Sequence, residues 1–242
     1  MHRIAAFAMR IGPTLLVAVA LLLPASPGRA FSDAALIDGF VRTIFGSEFP
    51  TWGTQSYKVK KYTRPVRFYI DDRSAAGRRS EATRFLRSLP RQIRGLDAAI
   101  VDDPRRANFR IFIIDRVDYK SIVANEVYGG LSSGFAPGKC LVRVMSGRNG
   151  IERSDAVIVA DEGEFLFKRC LVEEILQGLG PVNDDATLSE SVFNDRSRHS
   201  SFTGFDRTLL NMLYHPRIRH GMRQAEAQAV LPAVLADIGR RG

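Results

Sequence analysis

The chain has 242 residues and a formal net charge of +9, with 35 basic against 26 acidic residues. This excess suits an anionic neighbour such as lipid headgroups or cell-wall polymer. It does not demand nucleic acid, and we expect no nucleic-acid partner.

The first thirty residues have the three regions of a bacterial signal peptide. Arg3 and Arg10 form a basic start, and residues 15–23 form an apolar run that is short for a membrane span. Small residues up to Ala30 predict cleavage after that residue, and an uncleaved anchor is the alternative. We therefore expect a periplasmic or secreted chain, which contacts the membrane only through residues 1–30 before cleavage.

The remaining residues, 31–242, are enough for one sizeable core, and we expect a single domain with its core at about 65–222. The signal segment carries three arginines and no acid, so the exported charge is +9 − 3 = +6. Cys140 and Cys170 both lie in the exported part, where an oxidising compartment favours a disulfide between them. Two separate buried thiols are the alternative.

The hydrophobic periodicity predicts an α+β domain with a modest sheet. Strands are predicted at 66–70, 107–115, 140–145 and 156–160, with a turn at 147–154. Helices are predicted at 33–45, at 80–95 with a bend at Pro90, at 119–128, at 164–178 and at 221–238.

Four arginines recur at helical spacing in the second predicted helix: Arg84, Arg87, Arg91 and Arg94. Such a face could bind an anionic lipid or polymer, or it could be a solvated cationic face. No aromatic residue interleaves the arginines, and this favours the solvated face.

The helix that ends near Gly178 carries polar residues that are unusual in a core. Glu173 and Gln177 are four apart and are therefore neighbours on one face, while Glu174 is offset by one step. Gly180 permits a sharp redirection that could return Asn183 beneath the helix. We expect the side chains of Glu173, Gln177 and Asn183 to converge.

This series resembles the motif of the metzincin metallopeptidases, in which three histidines hold zinc and a glutamate activates the bound water. Glu173, Gln177 and Asn183 fall at the three histidines. Glu174 falls at the catalytic glutamate. Three supporting positions also match: Gly180, Asp184 and Phe193, which stands where that family has a methionine. The resemblance implies a zincin-like fold with a small mixed sheet, a central site helix and C-terminal helices.

The combined pattern is more similar still to a family of secreted bacterial proteins, domain of unknown function family 2927. The shared features are the paired glutamates, the glutamine, the leucine-glycine and asparagine-aspartate steps, and a segment like Leu213-Tyr214. The resemblance is strongest over residues 170–222. It implies no established activity.

The residue types at the ligand positions decide the expected chemistry. Zinc prefers imidazole or thiolate, whereas Glu173, Gln177 and Asn183 offer one carboxylate and two amides. Without zinc, no bound water is acidified for Glu174 to use. We therefore predict no cofactor and no zinc. The predicted function is non-catalytic binding of a peptide, a protein or a cell-envelope polymer by a degenerate metal site.

Three alternatives stay open. A peptidase-like hydrolase could use Glu174 with calcium or magnesium held by Glu173, Gln177, Asn183 and Asp184 or Asp185. Alternatively, Glu173, Gln177 and Asn183 could form a hydrogen-bonded network that needs no ion. A purely structural envelope protein is the third alternative.

Overall fold

The structure is a computed structural model that describes residues 31–45, 58–130, 136 and 138–239. The predicted signal peptide lies outside the described residues.

A mixed sheet forms the centre of the protein. It contains β1 (Val66–Asp72), β2 (Ala98–Ile100), β3 (Phe109–Ile114), β4 (Cys140–Gly147) and β5 (Gly150–Val159). The strand order is β2-β1-β3-β5-β4. The pairs formed by β1, β2, β3 and β5 are parallel, whereas β4 is antiparallel to β5 and ends the sheet. The predicted α+β class is confirmed.

The described part of the chain contains α1 (Asp33–Phe45), α2 (Arg79–Gln92), α3 (Tyr119–Ile122), α4 (Glu164–Gly178), α5 (Gly204–Leu213) and α6 (Gln224–Gly239). α2 packs on β1 and β2, and α4 packs on β4 and β5. α1, α5 and α6 pack on one another. None of the helices in the described residues is long and apolar enough to span a membrane.

Alternate residues of β3 and β5 serve two cores on opposite faces of the sheet. Ile111 and Ile158 belong to the larger core, which includes the buried sides of α2 and α4. Phe112 and Val157 belong to a smaller core with α3 and the π-helical turn that follows it, Val123–Val127. Both faces of the central strands are therefore covered, as parallel strands require.

Three details differ from the sequence-based predictions. β2 was not predicted, because three residues are too few to show an alternating pattern. The turn predicted at 147–154 exists but is shorter than expected, since β4 and β5 pair as far as Gly147 and Gly150 and only two residues separate them. Pro90 lies inside α2, which continues to Gln92 without division.

The predicted disulfide is confirmed. Cys140 and Cys170 are bonded, and their Cα atoms lie 5.9 Å apart, within the usual range. The bond joins the first residue of β4 to the middle of α4. It therefore ties the terminal strand of the sheet to the helix that carries the paired glutamates.

Lys61 holds the segment before β1 against the chain that follows α5. Its Nζ donates to the carbonyls of Leu213, at 2.9 Å, and Ile218, at 2.7 Å. The same atom lies 5.4 Å from the centre of the Tyr214 ring. Burial disfavours the charged ammonium and lowers the pKa of Lys61 to about 8.

The lowered pKa of Lys61 predicts that stability depends on pH in a mildly alkaline window. Between about pH 8 and the ordinary value of 10.5, the unfolded chain binds more protons than the folded chain. The free energy of unfolding should therefore rise with pH across this window. The stability gained by deprotonating Lys61 is lost as pH falls through about 8. Urea denaturation at pH 7.5, 8.5 and 9.5 measures it. In Lys61→Met the rise should be absent, and an equal rise in both proteins would contradict the assignment.

Candidate functional site

The candidate site is built on α4, which is buried on almost all sides. Its apolar residues Leu171, Ile175 and Leu176 pack in the larger core. Phe165, in the first turn of α4, is 51% exposed. Four polar residues are nevertheless buried on the same helix: Arg169, Glu173, Glu174 and Gln177. Buried polar groups are costly unless they are paired, so their partners define the site.

Arg169 and Glu173 form a two-point ion pair, one turn apart on α4. Nε of Arg169 lies 3.2 Å from Oε2 of Glu173, and Nη2 lies 3.2 Å from Oε1. Both side chains are less than a tenth exposed. Such a fork-to-fork contact fixes the geometry as well as the charge.

The same guanidinium fastens α4 to the segment that follows it. Nη2 of Arg169 also donates to the carbonyls of Val192, at 3.3 Å, and Asn194, at 3.0 Å. Nη1 donates to the carbonyl of Ser197 at 3.2 Å. Arg169 therefore sits among oxygen atoms that come from both the helix and the following loop.

The structure brings Asp184 to α4, whereas Asn183 contacts α1. Nε2 of Gln177 donates to Oδ1 of Asp184 at 2.8 Å. Nδ2 of Asn183 donates to the carbonyl of Arg42 at 2.9 Å, and its backbone N–H donates to the carbonyl of Thr43. We expected Asn183 to contact Gln177. Asp184 contacts Gln177 instead, because two hydrogen bonds hold Asn183 to α1.

Glu174 is 6% exposed, and its carboxylate acts electrostatically on Tyr119 of the smaller core. The pKa of the buried Tyr119 hydroxyl is raised, first by burial and second by the nearby Glu174 carboxylate. Glu174 falls at the general base in the metzincin comparison. Its carboxylate therefore lies close enough to Tyr119 to interact with it electrostatically.

Gly180 lets the chain turn sharply after α4. Its φ is +141°, and a Cβ atom at this position would lie 2.5 Å from the carbonyl oxygen of Lys60. Any other residue would combine a strained backbone with a clash against main chain. Gly180 thus fixes where the loop with Asn183 and Asp184 begins.

A buried aspartate supports the turn that contains Phe193. Oδ1 of Asp206 accepts from the Ser191 hydroxyl at 2.5 Å, and Oδ2 accepts from the Val192 N–H at 3.1 Å. Burial raises the pKa of Asp206, and these hydrogen bonds oppose the rise. Thr203 caps α5 by accepting from the Asp206 N–H. Phe193 is fully buried beside this network.

Three carboxylates approach one another at the site. Oxygen atoms of Glu173, Asp184 and Asp195 lie within 4.8 Å of each other, in the described part of the chain. Nη2 of Arg169 lies 3.6 Å from Asp195. The guanidinium therefore contacts two of the three carboxylates, those of Glu173 and Asp195. This donor set does not fit zinc, because it contains neither imidazole nor thiolate and Glu173 is already paired.

Two of these residues were not predicted from the sequence. Arg169 precedes Glu173 by four residues, the spacing of an intrahelical ion pair, and this signal could have found it. Asp195 has no such signal, since it comes near through the folding of the 185–197 loop.

One protein family matches most of the chain. The family model described as "Protein of unknown function (DUF2927)" matches residues 33–233. The chain therefore belongs to this family. No curated protein and no solved structure matches the chain.

Removing the positive partner of the buried pair should strongly destabilise the protein. Arg169→Met leaves the Glu173 carboxylate buried without its cation, and we expect a loss of about 3–5 kcal/mol in the free energy of unfolding. Urea denaturation at pH 7 measures this loss. The matched control is Lys168→Met on the exposed side of α4, for which we expect less than about 1 kcal/mol. Equal losses in both variants would contradict the role of the pair.

Proposed function

We propose that this chain is an exported, zincin-like protein that binds an extended peptide in the cleft of a degenerate metal site and does not cleave it. One observation carries the non-catalytic part of the proposal. The Arg169 guanidinium, paired with Glu173 at 3.2 Å, supplies the positive charge that a metal ion would supply in a metallopeptidase.

The topology supports the zincin-like part of the proposal. The sheet ends in β4, the one strand of the described sheet that runs antiparallel to its neighbour, and α4 packs beneath β4 and β5. α4 carries the first motif positions, Glu173, Glu174 and Gln177, and the turn at Phe193 and the helix α5 follow in the order that the resemblance implies. This arrangement agrees with the fold that the metzincin resemblance implies.

Electrostatics supports the loss of metal chemistry. At an effective dielectric constant of about 20, two unit charges about 4 Å apart repel each other by about 4 kcal/mol, and a divalent ion doubles this. A metal ion bound to Glu173 would face this repulsion from Arg169. Without a metal ion, Glu174 has no acidified water to activate.

The position of β4 supports a peptide as the ligand. A terminal strand offers backbone N–H and C=O groups to an added strand, which gives affinity that depends little on side chains. The Cys140–Cys170 bond holds β4 against α4, so an added strand would run beside the site helix. A regular row of donors and acceptors matches a peptide better than it matches a polysaccharide.

The disulfide also supports export. Disulfide bonds persist in oxidising compartments such as the bacterial periplasm and are rare in the cytosol. Together with the predicted signal peptide, the Cys140–Cys170 bond fits a periplasmic or secreted location.

A second candidate function is a hydrolase that uses Glu174 with a calcium or magnesium ion. The observation that favours it is the cluster of Glu173, Asp184 and Asp195, whose oxygen atoms suit a hard ion. It requires Arg169 to leave Glu173, which would cost the buried contacts described above.

Metal content and peptide binding together separate the two functions. We expect the exported chain, purified and then incubated with zinc, calcium and magnesium, to retain well under one metal ion per molecule by mass spectrometry. We also expect a pool of unstructured ten-residue peptides to slow hydrogen exchange in β4 without being cleaved. The control peptides contain proline at alternate positions, because proline lacks the N–H group needed for strand pairing.

The hydrolase function predicts a different outcome. Stoichiometric metal, with peptide hydrolysis that is lost in Glu174→Gln, would overturn the binding function and establish the hydrolase. Metal-free protein whose β4 exchange is unchanged by the peptides would contradict the peptide ligand.

A further inference from the structure

A row of arginines on α2 lines a surface groove that is separate from the candidate site on α4. The groove has a volume of about 810 Å³, and its lining includes Arg79, Ser80, Thr83, Arg84, Arg87 and Arg91. α2 packs on β1 and β2, at the opposite end of the sheet from β4. The groove and the peptide site therefore lie over different strands.

The charge of this groove is not balanced from within the described part of the chain. Several arginines elsewhere pair with carboxylates, as Arg110 does with Asp155 at 2.7 Å. The one acidic residue of α2, Glu81, is paired with Arg78 at 2.8 Å. Among the described residues, no carboxylate pairs with Arg84, Arg87 or Arg91, and all three are exposed.

The spacing of these arginines suits an extended ligand. Arg84, Arg87 and Arg91 are three and four residues apart, so they share one face of α2. Like charges at this spacing repel each other and weaken a helix. At about 1.5 Å per residue, the row spans roughly 10 Å, which is longer than a single phosphate or carboxylate.

We propose that this groove binds an extended polyanion that carries phosphate groups along its length. Guanidinium groups contact phosphate oxygens in pairs, and the hydroxyls of Ser80 and Thr83 add donors. The Arg79 side chain is anchored at the rim, because its Nη2 donates to the carbonyl of Ile70 at 2.5 Å.

The burial of α2 argues against a lipid surface as the ligand. The apolar residues of this helix, Ala82, Leu86 and Leu89, are buried in the core. A helix that lies in a membrane interface instead inserts its apolar face among the acyl chains. The groove therefore offers charge and hydrogen bonds to a ligand, and no apolar face that could insert among acyl chains.

Binding of long-chain inorganic polyphosphate to the exported chain tests the proposal. The variant Arg84→Gln/Arg87→Gln/Arg91→Gln should bind at least tenfold more weakly, with a shallower dependence of affinity on salt. The control variant Arg106→Gln/Arg148→Gln/Arg219→Gln removes the same charge from exposed positions elsewhere and should bind like the unaltered chain. Fluorescence anisotropy with labelled polyphosphate measures all three affinities.

Thermal melts without ligand show whether the groove variant folds, and we expect no loss of melting temperature because repulsion is relieved. Should it fail to fold, the single variant Arg87→Glu provides the same comparison. Equal weakening in the groove and control variants would overturn the proposal. So would binding of pyrophosphate as tightly as the long chain, or binding only to vesicles of 30% phosphatidylglycerol.

Discussion

Two buried side chains of opposite charge, Arg169 and Glu173, lie one turn apart on α4. They are joined by two nitrogen–oxygen contacts, each 3.2 Å long. Neither charge is stable in this environment alone, since moving an ion out of water costs several kcal/mol. The pair therefore constrains the rest of the site. The carbonyls of the 192–197 segment must face Arg169, and this holds the loop beneath the helix.

The remaining contacts position this pair within the fold. The disulfide fixes α4 to β4, Gly180 turns the chain, and Asp206 holds the turn at Phe193. Under the proposed function, these contacts preserve the framework of an ancestral metal site, and the Arg169 guanidinium supplies its charge. The groove on α2 shows the converse arrangement, because its arginines are exposed and have no carboxylate partner among the described residues. Arg169 stabilises the fold, whereas the arginines of the groove are the group that we propose binds a ligand.

The sequence predicted the helices other than α5 and the longer strands, because their periodicity extends over several residues. It also predicted that Glu173 and Gln177 share a face, since helical geometry fixes neighbours four apart. It failed where tertiary contacts decide the outcome. Asn183 and Asp184 are adjacent in the chain, and only the contact of Asn183 with α1 determines which of them reaches Gln177. β2 is too short to leave a pattern.

The central claim is that the ion pair between Arg169 and Glu173 replaces the metal ion as the organising charge of the site. A double-mutant cycle on the free energy of unfolding tests it most directly, with Arg169→Met, Glu173→Leu and the double variant. We expect a coupling energy above about 2 kcal/mol and a double variant more stable than either single one, since it leaves neither charge unpaired. Additive losses, with coupling below about 0.5 kcal/mol, would contradict the claim.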